Sequence, residues 1–233
     1  MSFSTALRIN NIDAAYIKAS RTDMLSPHFS LWELCQNHRH GLVEQLNFIH
    51  GDYYRPHLVK LCQEHLEPLR NAFGRPIHVN SGLRWAHLEG TSTTTSSTWQ
   101  GLDLEIRSIY AKRGYKPTSQ HIRGMAADVV MAGTSVREMW EWARFHSPYP
   151  FGQIICEMGA RSNWLHISIP GERLSNGKLI YGEVMDATVD AMGRARYQRI
   201  DTLQGPTKDR WGKYQLEQAI MGSTSWLNGA RIG

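Results

Sequence analysis

The chain has 233 residues, with 26 Lys+Arg against 21 Asp+Glu and a formal net charge of +5. At 41% hydrophobic and 20% charged it carries enough apolar material for a core and too little charge for a disordered chain. No run approaches the roughly 18 consecutive apolar residues of a membrane span, the first residues lack the basic-then-apolar order of a secretory signal, and no Lys/Arg run marks a nucleic-acid surface.

At roughly 150 residues per domain, the length predicts one domain with extras, or two small ones. Residues 1–23 read as a polar leader with one short helical stretch at 12–17. Ser30, followed three residues later by Glu33, forms the capping-box pattern and predicts a short helix start. Residues 55–73 are the clearest helix: Pro56 suits its first turn, and Leu58, Leu61, Cys62, His65, Leu66 and Leu69 recur on one face. Pro68 is expected to kink or close it, and Gly74-Arg75-Pro76 ends the pattern. Ile77 to Asn80 alternates as a half-buried strand does and delivers Ser81-Gly82-Leu83-Arg84.

Residues 90–101 are a Thr/Ser-rich loop, and 102–114 are a short helix within the same insertion, at about 90–118. Ala126 to Met131 is a second strand. Ser135 with Glu138 caps a second good helix running to Phe145. Phe151 to Cys156 and Trp164 to Ile169 are expected to pair as an antiparallel hairpin around 157–163. From residue 171 the texture turns to Gly, Arg and small residues, with two weakly helical pieces at 183–201 and 207–221. That tail reads as an appendage. Cys35, Cys62 and Cys156 are odd in number and far apart, which predicts buried or free thiols of a reducing compartment and no disulfide framework.

Eleven histidines invite a search for metal chemistry. His121, Asp128 and His166 supply two imidazoles and one carboxylate, a three-ligand set suited to a catalytic zinc with one position open for water. Gly124 permits a tight turn after His121, so Asp128 on the following strand can fold back beside it. By spacing alone, a His and an Asp seven apart read equally as a loop histidine and a strand-end carboxylate. His38 and His40 read as solvated loop histidines, and His57 and His65 lie on the long helix without matching carboxylates.

The surroundings carry more. Ser119-x-His121-x-x-Gly124-x-Ala126-x-Asp128 followed by Trp164-x-His166-x-Ser168 resembles the zinc peptidases of the D-alanyl-D-alanine carboxypeptidase superfamily. That group includes vancomycin-resistance D,D-dipeptidases and phage L-alanyl-D-glutamate endolysins, with the hedgehog signalling domain as a relative. Val79 to Arg84 resembles its strand-plus-Ser-Gly-x-Arg element. Leu25 to Leu34 resembles the opening segment of the phage and bacterial branch, and Leu66 to Arg70 the intervening helix. The resemblance covers roughly residues 24–170.

It implies an α+β fold, a small antiparallel sheet with flanking helices; the loose texture of the 171–233 appendage suits a docking arm. It implies Zn2+ held by His121, Asp128 and His166, with Arg84 beside it to hold a substrate carboxylate or carbonyl. Many relatives carry a general base three residues before the last His ligand. Here that position is Asn163, which cannot act as a base, and Glu157 is the alternative. A carboxylate at a hairpin end is otherwise a solvated one. Ser119 and Gln120 are expected to hydrogen-bond near the site, Trp164 to wall the cleft, and Ser168 either to orient His166 or to line the cleft.

The implied activity is a zinc metallopeptidase of the D,D-carboxypeptidase or L,D-endopeptidase type acting on peptidoglycan stem peptides. Such a protein would be made in the bacterial cytoplasm and incorporated in a bacteriophage virion, in a tail or baseplate, with other virion proteins as partners and with no nucleic-acid partner and no membrane insertion. The alternative is a virion structural protein that keeps the fold with reduced or no activity. A hedgehog-like binding module with a purely structural zinc is a third reading.

Overall fold

The fold is known from a computed structural model, which describes residues 21–36, 51–52, 54–84, 119–159, 162–172, 179–190 and 195–202. The helical stretch at 12–17, most of the leader, His38, His40, all of the insertion at 90–118 and the helical piece at 207–221 lie outside the described residues.

A short antiparallel pair, β1 (Met24–Ser26) and β2 (Phe29–Ser30), leads into α1 (Leu31–Cys35). The Ser30 side chain accepts the Glu33 N–H and the Glu33 carboxylate accepts the Ser30 N–H, so the expected capping box is present. The long helix has three parts: α2 (Arg55–Leu61), a π turn (Cys62–Leu66) and α3 (Glu67–Phe73). Pro68 explains the irregularity. It has no N–H to return to the preceding turn, and just before it the Glu67 N–H reaches back five residues to the Cys62 carbonyl. Gly74 closes α3 with a left-handed backbone, φ 61°.

Six strands form the main sheet in the order β10-β9-β5-β6-β4-β3. They are β3 (Ile77–Ser81), β4 (Ala126–Met131), β5 (Gln153–Gly159), β6 (Asn163–Ser168), β9 (Glu183–Val189) and β10 (Ala195–Thr202). β7 (Gly171–Glu172) and β8 (Leu179–Ile180) make a separate small pair. The β5–β6 hairpin is antiparallel as expected, and α4 (Val136–His146), capped by Ser135 and Glu138, packs on it. Leu58, Leu66, Leu69, Val129, Ile154, Leu165 and Ile167 form one core between this face of the sheet and the helices.

The architecture is mixed α and β, consistent with the α+β expectation, with two departures. The sheet is not wholly antiparallel, because β5 pairs with β9 in parallel. And the reading of 171–233 as an appendage with a helical piece at 183–201 is corrected for its first part: β9 and β10 are strands of the main sheet. Val184 is 1% and Ala187 2% exposed, so each face of β9 buries a residue. β-Branched Val184, Thr188 and Val189 suit a strand better than a helix. The three described cysteines are free and buried, as expected, and among the described residues no helix is long and apolar enough to cross a membrane.

Candidate metal centre

His121 sits in a 3-10 turn, Gln120–Arg123, closed by Gly124 in the left-handed region at φ 64°. A Cβ at Gly124 would come within 2.9 Å of Leu58 Cδ2, so both the backbone and the packing require glycine. His57, on α2, fastens the turn: its Nδ1 lies 2.9 Å from the Arg123 carbonyl, which can only accept. Burial pushes the His57 pKa down to about 4, so the ring is neutral at pH 7.

The Ser-Gly-x-Arg segment is sewn to the same turn. His121 Nδ1 donates to the Gly82 carbonyl at 2.7 Å, and the Arg84 N–H donates to the His121 carbonyl at 3.1 Å. That tautomer leaves His121 Nε2 as a lone pair aimed into the site. At Gly82 a Cβ would meet the Leu34 carbonyl oxygen at 2.2 Å, so no side chain fits where the chain must pass this closely.

Asp128 and His166 are directly opposed on β4 and β6. Asp128 Oδ1 lies 2.9 Å from His166 Nδ1 and 3.2 Å from His121 Nε2, and the two ring nitrogens are 3.2 Å apart. All three residues are buried. The three donor atoms thus converge in a triangle with edges of 2.9–3.2 Å. A tetrahedral ion with bonds of about 2.0–2.1 Å sets donor–donor separations of about 3.3 Å, so the residues fit a metal after an expansion of a few tenths of an ångström. Among the described residues no fourth ligand joins this group. Burial pushes the His166 pKa down to about 4, Arg84 adding to the effect and Glu157 opposing it, so the imidazole is neutral and ready to ligate near pH 7.

Arg84 pairs with the other Asp128 oxygen, Oδ2, and its Nε donates to Ser81 Oγ. This orients the carboxylate with Oδ1 toward the triangle, while about a third of the Arg84 side chain remains exposed in the cleft. A bulge between Val79 and Ser81 places Ser81 opposite Asp128 and makes this arrangement possible.

The triangle opens onto a cleft of about 520 Å³ whose lining includes Arg84, Ser119, Gln120, Glu157 and Trp164. Glu157 lies inside β5, which runs to Gly159, not at the strand end; it is 7% exposed and directly opposite Trp164. The solvated reading therefore fails. Burial raises its pKa above the usual carboxylate range, while His166, Arg84 and the Trp164 indole pull the other way. Asn163 is exposed, and its side-chain oxygen accepts the Gly159 N–H, which closes the hairpin.

The accessory residues divide. Gln120 borders the cleft while its amide donates to the Ile169 carbonyl at 3.1 Å. Ser119 is exposed at the rim and Trp164 is half-buried in the wall. Ser168 does neither thing expected of it: fully buried, it accepts the Gln153 N–H at 2.8 Å and donates to the Gln153 carbonyl at 3.3 Å, tying β5 to β6. Sequence reasoning missed His57 and the wall supplied by Met185, Val189, Ala195 and Tyr197. The signal for the wall was present. Gly193 lies between two runs containing β-branched and aromatic residues, a hairpin pattern.

Comparison of the chain with protein-family models, with curated proteins and with solved structures finds no match.

Proposed function

We propose that the chain is a zinc-dependent peptidase acting on peptidoglycan stem peptides, of the D,D-carboxypeptidase or L,D-endopeptidase type. The observation that carries the reading is the buried His121–Asp128–His166 triangle opening onto a cleft that also holds a buried glutamate, Glu157. Two imidazoles and one carboxylate in a compact, tetrahedron-compatible set favour zinc over calcium or magnesium, which prefer six or more oxygens. When bound, zinc supplies an acidified water and polarises the scissile carbonyl.

The residues do the rest. Glu157, its pKa raised by burial, takes a proton from the attacking water and returns it to the leaving amine. Arg84 holds Asp128 in place, and its partly exposed guanidinium at the cleft meets the substrate's carbonyl or carboxylate. Trp164 walls the cleft against water. The wall substrate and the setting in a phage particle, with virion proteins as partners, rest on the resemblance of 24–170 to the phage and bacterial branch.

A second reading, a virion structural protein with reduced or no activity, draws on Asn163, whose side chain is engaged in the hairpin turn. Metal analysis and digestion of purified peptidoglycan, followed by mass analysis, separate the two. The peptidase reading expects one zinc per chain, lost in His121→Ala, and new amino termini that Glu157→Gln fails to release. Zinc-loaded protein that releases no new termini sinks it and leaves the structural reading.

A further inference from the structure

The cleft has two unlike halves, and the second comes from a segment outside the resemblance. Register places Trp164 opposite Glu157, Glu157 opposite Ala187, and Ala187 opposite Tyr197. Because side chains alternate along each strand, these four form one row across β6, β5, β9 and β10 on the cleft face. Strands lie about 4.8 Å apart, so the Tyr197 backbone stands roughly 10 Å from that of Glu157, with only the Ala187 methyl between. Ala187 is nonetheless 2% exposed, so larger neighbours close over it.

Tyr197 itself is 55% exposed and lines the same cleft as Arg84 and Glu157. The other side chains that this hairpin contributes, Met185, Val189 and Ala195, are apolar. The metal half is thus polar and the hairpin half apolar with one phenol. The Tyr197 ring keeps about half its surface open and lines the cleft, where a bound ligand would cover it.

We infer that Tyr197 is a substrate-contacting specificity residue of this cleft, its hydroxyl bonding the peptide backbone beside the scissile bond while the apolar half takes an adjacent small apolar side chain. The inference rests on the peptidase reading and assigns the β9–β10 hairpin the role of choosing the substrate. It concerns recognition, so it shows in binding, with Glu157 removed from the comparison.

The test uses the full chain loaded with zinc and carrying Glu157→Gln, so that a synthetic stem pentapeptide binds without being cut. Calorimetry then compares Tyr197, Tyr197→Phe and Tyr197→Ala. Loss of the hydroxyl is expected to weaken binding about 3- to 10-fold, the size of one hydrogen bond, and loss of the ring further. Zinc content and melting temperature stay unchanged in Tyr197→Phe. In the chain that keeps Glu157, Tyr197→Phe raises KM by a similar factor and leaves kcat within about twofold. Parent binding with no change in either Tyr197 variant overturns the inference and leaves the peptidase reading standing. No binding by the parent removes the reading and the inference together.

Discussion

β5 and β6 present the same strands to two unlike environments. On the helix side, Ile154, Cys156, Leu165 and Ile167 are all 0% exposed and belong to the apolar core. On the cleft side, Glu157 and His166 are each 7% exposed, nearly as buried, yet they are ionisable. Burial alone does not distinguish the faces; what satisfies the buried groups does. The helix side gains transfer free energy, whereas the cleft side carries desolvated groups that only one another or a bound partner can compensate. A period of two places the two tasks one residue apart, so stability and chemistry can be broken separately.

The largest effect is expected at the cleft. On the peptidase reading, His166→Ala or Asp128→Ala removes a donor, and metal content is expected to fall from one per chain to near zero, with hydrolysis lost; the fold, read by circular dichroism, persists. On the same reading, Glu157→Gln keeps the metal and lowers kcat about 10²- to 10⁴-fold, the range for a general base. Metal lost together with activity in that variant would refute the division of roles.

On the other face, Leu165→Ala is expected to cost about 2–5 kcal/mol of stability in denaturant melts, from lost burial plus a cavity. Metal affinity measured below the unfolding transition changes little.

Acid sharpens the comparison further. Burial holds His166 and His57 at about 4 and His65 at about 3. The unfolded chain takes up these protons near pH 6.5 and the folded chain refuses them until much lower pH. Stability of the metal-free protein is therefore full above about pH 6.5 and lost as the pH falls toward 4. Glu157, raised by burial, works in the opposite sense over the carboxylate range. A melting temperature flat across that interval would show that the histidines are not held neutral. The smallest effect belongs to neither face: Ser135→Ala at the start of α4 costs about 1 kcal/mol and leaves the cleft intact.

Much of this was legible. The capping boxes Ser30/Glu33 and Ser135/Glu138 are local patterns and are present. The alternation of Ile77 to Asn80 marked β3, and His121, Asp128 and His166 do come together. What escaped was long-range. The sequence pattern puts Glu157 at a hairpin end, and only its pairing with Trp164 and Ala187 shows that it lies inside β5 and on the cleft face. Ser168 was assigned by proximity to His166, and its hydroxyl instead serves Gln153. Residues 183–201 carry a weak helical pattern that pairing with β5 overrides.

The sequence by itself determined where helices start, which residues alternate, and which donors could ligate, because capping, periodicity and residue chemistry act within a few positions. Only the tertiary structure decided that β5 lies inside the sheet with β9 along its second edge, and hence that Tyr197 lines the same cleft as His121, Asp128 and His166. The physical reason is that strand pairing is chosen between segments far apart in the chain. An open edge beside β5 has to be covered, and no local pattern names the strand that covers it.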